Sequence, residues 1–320
     1  MDINYILVAG GFVVAMLTCI VGLIIRKPWG MTFGPPPLPQ SALPLPTSDH
    51  EPSQEDGPYT PPRHMAPVLS ATGSEGGLWK VSILPFRWLD VLLVAFLVGV
   101  YALPIFMEPL GLMPDEELKI DTKALVATIF SQCFFSALVV AVMVWRVNLR
   151  DWLGLNSRRW WLAPLIAPIG VGLTWAFVAA LDVTGFHAWL ESQMGESGQQ
   201  EMVQAFGNAQ DPTLLVLMTF TAVIVAPIAE EFIFRGYIYG VSKRFLGRTS
   251  AIVFTSIIFA VIHHNAYALF PLIFLAVLLV LAYEFTGTIW VPIAMHMLFN
   301  GLTVAVQFAQ RAGLLDLPQQ

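Results

Sequence analysis

The stretch INYILVAGGFVVAMLTCIVGLII, Ile3 to Ile25, contains no Asp, Glu, Lys or Arg. A helix of about 20 apolar residues crosses a hydrocarbon core about 30 Å thick, so this run is long enough to span a bilayer. Arg26 and Lys27 close it and Asp2 precedes it. A cleaved signal peptide carries its positive charge first and ends in a small-residue cleavage site. The order here is reversed, which reads as a retained anchor with its N-terminus outside.

Seven more runs of this kind follow, near Trp88–Met107, Leu125–Trp145, Trp161–Leu181, Thr213–Phe234, Ala251–His263, Leu269–Phe285 and Ile289–Phe308. The loops fit the alternation. Arg146, Arg150, Arg158 and Arg159 mark one loop as cytoplasmic, and Lys243, Arg244 and Arg248 mark another. Between them lie two acidic loops, Glu108–Asp121 and His187–Asp211, expected outside. Trp160 and Trp161 beside Arg158 and Arg159 suit an interfacial belt. The spacing predicts an all-α polytopic membrane bundle of about eight transmembrane helices with both termini outside, since no alternating ten-residue strands of a barrel occur.

Composition agrees. Of 320 residues, 56% are hydrophobic and only 12% are charged, half of what a soluble domain carries. Both cysteines, Cys19 and Cys133, lie within apolar runs, which excludes a disulfide scaffold. A net charge of -6 offers no basic surface for nucleic acid. Between Pro28 and Pro67 lie 12 of the 23 prolines, mixed with Ser, Asp, Glu and Gly. Too little apolar surface remains there to offset ordering entropy, so Pro28 to Gly77 reads as a disordered or polyproline-like cytoplasmic tether. The expected organisation is an anchor over residues 1–27, a Pro-rich linker over 28–80 and a helical domain over 81–320.

Ionisable residues at span depth are the informative ones, because a charge at mid-bilayer costs about 2.5–3.5 kcal/mol on insertion scales. They concentrate in the last third of the chain. The fifth run ends Ala226-Pro227-Ile228-Ala229-Glu230-Glu231-Phe232-Ile233-Phe234-Arg235; the sixth ends Phe259-Ala260-Val261-Ile262-His263-His264; the eighth contains His296-Met297-Leu298-Phe299-Asn300. Asp90 and Asp182 lie near span ends, at the membrane surface, where a charge is cheap, and take no role. His264 reads as interfacial.

Spacing gives these groups geometry. Glu231 and Arg235 are four apart and can pair on one helical face, while Glu230 is turned about 100° away toward another partner. Phe259 and His263 share a face, as do His296 and Asn300. If the fifth helix runs on to a turn near Leu246–Arg248, Glu230 lies about 24 Å back from that turn and His263 about 21 Å beyond it. Three helices can then bring a carboxylate, two imidazoles and an amide to one level.

A carboxylate beside a neutral imidazole in a water-poor cavity can take a proton from water. A second His and an Asn on one face can donate hydrogen bonds to an oxygen that becomes negative as a carbonyl is attacked. No Ser or Cys accompanies the histidines as a nucleophile. The chemistry that fits is water-mediated hydrolysis of an amide. Two alternatives use the same residues: the His and Glu side chains could hold zinc with an open position for water, or they could relay protons or bind a partner in a transporter or scaffold. No His-Glu-x-x-His pattern and no internal repeat are present.

Glu-Glu-x-x-x-Arg, then Phe-x-x-x-His, then His-x-x-x-Asn, in order on successive segments, resembles the CPBP family of intramembrane glutamic endopeptidases (CAAX-protease and bacteriocin-processing, or Abi). Thr286-Gly287-Thr288-Ile289-Trp290 resembles the approach to that family's third motif. The likeness covers roughly Thr213–Val306. It implies that Glu230 activates water with help from His263, that His296 and Asn300 form the oxyanion hole, and that Glu231 and Arg235 support the first motif. It further implies a peptide or protein substrate, membrane-associated in the intramembrane reading, no metal cofactor, and a multi-pass protein of the bacterial plasma membrane.

Overall fold

The computed structural model describes residues 3–26, 80–83, 85–107, 110, 112, 121–194, 206 and 209–315. The Pro-rich tether lies outside the described residues, as does most of the acidic loop after Glu108. Ten helices, one further 3₁₀ helix over Arg158–Leu162 and no strand occur among the described residues, the ten being α1 Ile3–Arg26, α2 Trp88–Met107, α3 Thr122–Met143, α4 Leu149–Trp152, α5 Ala163–Val183, α6 Phe186–Met194, α7 Pro212–Leu246, α8 Arg248–Val261, α9 Ala266–Thr286 and α10 Trp290–Arg311. The protein is an all-helical membrane bundle.

Among the described residues, seven of these helices are long and apolar enough to cross a bilayer: α1, α2, α3, α5, α7, α9 and α10. The eighth expected span is α8, which has only 14 residues and reaches about 21 Å. Its length falls short because a turn over Ile262–Asn265 interrupts the apolar run. The expected outer loop from His187 is also partly helical, as α6.

Local chemistry sets the boundaries. Asp121 caps α3 by accepting from the Ala124 amide, and Asp211 caps α7 by accepting from Thr213 with Pro212 in the first turn. Gly247, at φ 83°, separates α7 from α8 and makes them an antiparallel pair. Gly287, at φ 67°, ends α9 in the left-handed conformation that glycine adopts at least cost.

The centre of the bundle is α7, which touches α1, α2, α3, α8, α9 and α10. Every residue from Ile233 to Leu246 is buried, as expected for a helix enclosed by others. A methyl group added at Gly11 would sit 2.9 Å from Val261, and one at Gly22 would sit 2.9 Å from Leu246 and 3.0 Å from Ser250. These contacts recur eleven residues apart on both helices, so α1 lies antiparallel along α8.

Two buried charge clusters brace this centre. Asp90 is wholly buried, in contrast to the surface position expected for it. It bonds Arg146 at 2.7 and 2.8 Å, the Tyr237 hydroxyl at 2.8 Å, and the Arg87 amide. Asp90 opens α2, but the Arg87 amide, Arg146 and Tyr237 converge on its carboxylate and enclose it. Glu284 accepts from Lys243 and Tyr239, both at 2.6 Å, and Lys243 also reaches the Val81 carbonyl at 2.8 Å. Lys243 and Arg244 are therefore buried residues of α7 and not loop cations.

Candidate active site

The middle of α7 departs from regular geometry. Ala226–Glu231 is α-helical, but Thr221–Val225 before it and Phe232–Ile238 after it are π-helical. Each π turn carries an extra residue and re-aims the side chains around it, a distortion frequent at functional sites. Glu230 and Glu231 sit between the two.

Glu231 is wholly buried. One oxygen, Oε1, accepts from Arg235 at 2.7 Å and is 2.9 Å from Nδ1 of His296 on α10. Arg235 is also enclosed; its guanidinium lies 4.3 Å from the Phe259 ring centre and reaches the Ala276 carbonyl at 3.5 Å. A buried carboxylate between a cation and an imidazole is stable only while both partners stay in place. This triad joins α7, α9 and α10 at one point.

Phe259 on α8 is the hub of the aromatic contacts here. Its ring is 5.0 Å from that of His263, 5.7 Å from that of His296 and 5.3 Å from that of Phe234. His263 follows the end of α8, and its Nδ1 lies 2.7 Å from the Phe259 carbonyl. That bond makes Nδ1 the donor and turns Nε2 away from the backbone. Counted from Gly247, Glu230 and His263 both lie about 24–26 Å along the chain at helical rise, so the antiparallel pair brings them level.

Glu230 is half-buried, and its Oε2 is covered without a hydrogen-bond partner among the described residues. It interacts electrostatically with His263 and with Tyr101 of α2. His263 in turn feels His296 and Arg235. Asn300 donates through Nδ2 to the Ala222 carbonyl at 2.8 Å, on the stretch of α7 just before Glu230. An amide nitrogen carries two donors, so one remains.

The residues singled out in the sequence thus fall into two linked groups. Glu231, Arg235, Phe259 and His296 form a closed buried cluster. Glu230 and His263 lie beside it within electrostatic range of each other, and Asn300 stands one helical turn beyond His296. Tyr101 was not visible in the sequence; a tyrosine in an apolar run carries no signal until α2 is placed against α7. Among the described residues, no three His, Cys, Asp or Glu side chains are grouped to hold a metal ion.

Residues 212–302 match the family of type II CAAX prenyl endopeptidases described as Rce1-like. All seven of these α7, α8 and α10 residues, with the turn that holds His263, fall inside that segment. Over 205 residues the chain is 26% identical to YdiL of Bacillus subtilis (strain 168), which carries the name of a membrane peptidase; the match covers 62% of this chain and 77% of the relative. Over 111 residues it is 32% identical to the membrane-embedded CAAX protease MroQ of Staphylococcus aureus (strain USA300), covering 32% of this chain and 44% of the relative. No solved structure matches it. On its three ordered motifs, the matched segment and these relatives, the chain is similar over residues 212–302 to the CAAX-protease-like membrane peptidases.

Proposed function

We propose that the protein is an intramembrane endopeptidase in which Glu230 and His263 activate a water molecule and His296 and Asn300 stabilise the oxyanion. The observation that carries this reading is the convergence of three segments: His296 of α10 is tied by Glu231 to α7, and His263 after α8 lies within electrostatic range of both Glu230 of α7 and His296.

In this reaction a water O–H bond breaks and its proton goes to the Glu230–His263 pair. The hydroxide oxygen bonds to the scissile carbonyl carbon, whose oxygen becomes negative. The second N–H of Asn300 is available to that oxygen. The Glu231 carboxylate engages Nδ1 of His296, which leaves Nε2 as the ring nitrogen directed to the oxyanion in this reading. The C–N bond then breaks, and the proton held by the Glu230–His263 pair passes to the leaving nitrogen. The proposed reaction uses no metal.

Peptides or proteins are the substrates of such an enzyme, and we place the substrate segment in or against the bilayer. Both named relatives are bacterial, which supports a bacterial plasma membrane as the location. The test is incubation of the purified full chain with a proteome-derived peptide library, reading new termini by mass spectrometry. Glu230→Gln is expected to lower cleavage by about 10²–10⁴-fold, the range of a lost general base. An unchanged rate sinks the assignment. A rate lost to a chelator and restored by Zn²⁺ would replace it with zinc chemistry.

A further inference from the structure

The face that α3 turns toward α7 is marked by Leu125, Ile129, Gln132, Ser136, Val139 and Met143, spaced four, three, four, three and four residues apart. Such spacing is the inward stripe of a packed helix. Its ends are apolar, and its middle is not. Gln132 Oε1 and Ser136 Oγ are both covered and have no hydrogen-bond partner among the described residues. An unpaired polar group in a membrane interior is costly, so two in succession on a partly buried stripe need a cause.

Their level can be fixed from two ties between α3 and α7. Near the top, Leu125 and Met218 share one buried cluster. Near the bottom, Arg146 and Tyr237 both bond Oδ1 of Asp90. The helices therefore run parallel with a nearly constant offset, which places Ser136 and Gln132 about 3 and 9 Å along α7 from Glu230, toward Ala222. Oε2 of Glu230 and Oε2 of Glu231, at the next level along α7, are also covered without a hydrogen-bond partner among the described residues. Tyr101 spans the same gap, with its ring 5.7 Å from Phe135 and 6.3 Å from Phe234.

From this placement we infer that Gln132 and Ser136 are substrate-binding residues that hydrogen-bond the main chain of an extended peptide inserted between α3 and α7. The inference rests on the reading of Glu230 as the water-activating group. Residues four apart on a helix are separated by about 6 Å along its axis. An extended strand repeats the same main-chain face every two residues, about 6.6 Å. One amide and one hydroxyl at that spacing supply donors and acceptors to alternate residues of a strand, with no preference for side-chain type. The wall that must move to admit the strand is the loosest of the long helices: 11% of the apolar window of α3 is buried, against 56% for α9.

The experiment uses the purified full chain and an internally quenched peptide built on a sequence that it cleaves in the peptide library. Gln132→Leu and Ser136→Ala are each expected to raise KM by about 2- to 10-fold, the value of one neutral hydrogen bond, with kcat within about twofold. Thermal stability should hold or rise, because each change removes an unpaired buried polar group. Unchanged KM in both variants, or a loss of activity that tracks a fall in stability, overturns the inference. Glu230→Gln run beside them separates the two readings. If it still cleaves, the catalytic proposal fails; if it is inactive while both α3 variants keep wild-type kinetics, the binding proposal alone fails.

Discussion

Glu231 lies enclosed and bonded to Arg235 and His296, whereas its neighbour Glu230 is half-buried and bonds neither. Their replacement by glutamine should therefore separate stability from catalysis. Glu231→Gln leaves the charge of Arg235 uncompensated inside the bundle, a change that costs about 3–5 kcal/mol in buried pairs. It should lower the melting temperature clearly in a thermal scan of the full chain in detergent. Glu230→Gln should melt within a degree or two of the wild type while losing cleavage; equal destabilisation of both would show that neither is set apart for chemistry. These two acids were legible in the sequence because carboxylates in an apolar run are rare and the spacing to Arg235 is that of one helical turn. Asp90 was not. Its partners Arg146 and Tyr237 lie 56 and 147 positions away, and nothing local distinguishes a covered span end from a wet one. Gln132 and Ser136 were missed for a related reason: a neutral polar residue in a span draws notice only when its partners are known to be absent.

The hairpin of α7 and α8 is where the sequence reading carried furthest, since Gly247 closes it where the charge pattern placed a turn. The end of α8 was harder to foresee. Ile262–Asn265 is a turn and not helix, and His264 adopts φ 49°, a conformation that costs a residue other than glycine free energy. The turn is held from α1. Asn4 donates to the His264 carbonyl at 3.4 Å and accepts from the Ala266 amide at 2.7 Å. A small cleft bordered by Asn4, Tyr5, Val8, Ile105 and His264 lies alongside. Asn4→Ala should therefore release this turn, with amide hydrogen exchange at Ala266 and its neighbours about 10-fold faster, as expected for one lost buried bond. Exchange elsewhere in α9 should be unchanged. Equal protection in the variant would show that the turn holds itself in place. Such a bond between residues 262 positions apart has no trace in local pattern, which is why α1 read as an anchor alone.

At the scale of the whole chain, hydropathy gave the helical membrane bundle and the order of its spans, because burial in lipid demands long apolar runs whatever surrounds them. It gave less about which charges face water. Lys243 belongs to a pair with Glu284 inside the bundle, and a count of cations per loop treats it as a surface residue. The packing of α1 on α8 through Gly11 and Gly22 has a consequence for how the protein can be assembled. Attachment of the first helix to the rest resides in its flank, so the peptide backbone between Arg26 and Lys80 is dispensable for keeping them together. A chain nicked there at an engineered protease site should stay a two-piece complex: an affinity tag on the short fragment should recover the long one from mild detergent, and Gly11→Leu should abolish that recovery by wedging the helices apart at Val261. Separation of the unsubstituted pieces would disprove it. Halves of one gene, expressed apart, would then be enough to reconstitute the molecule.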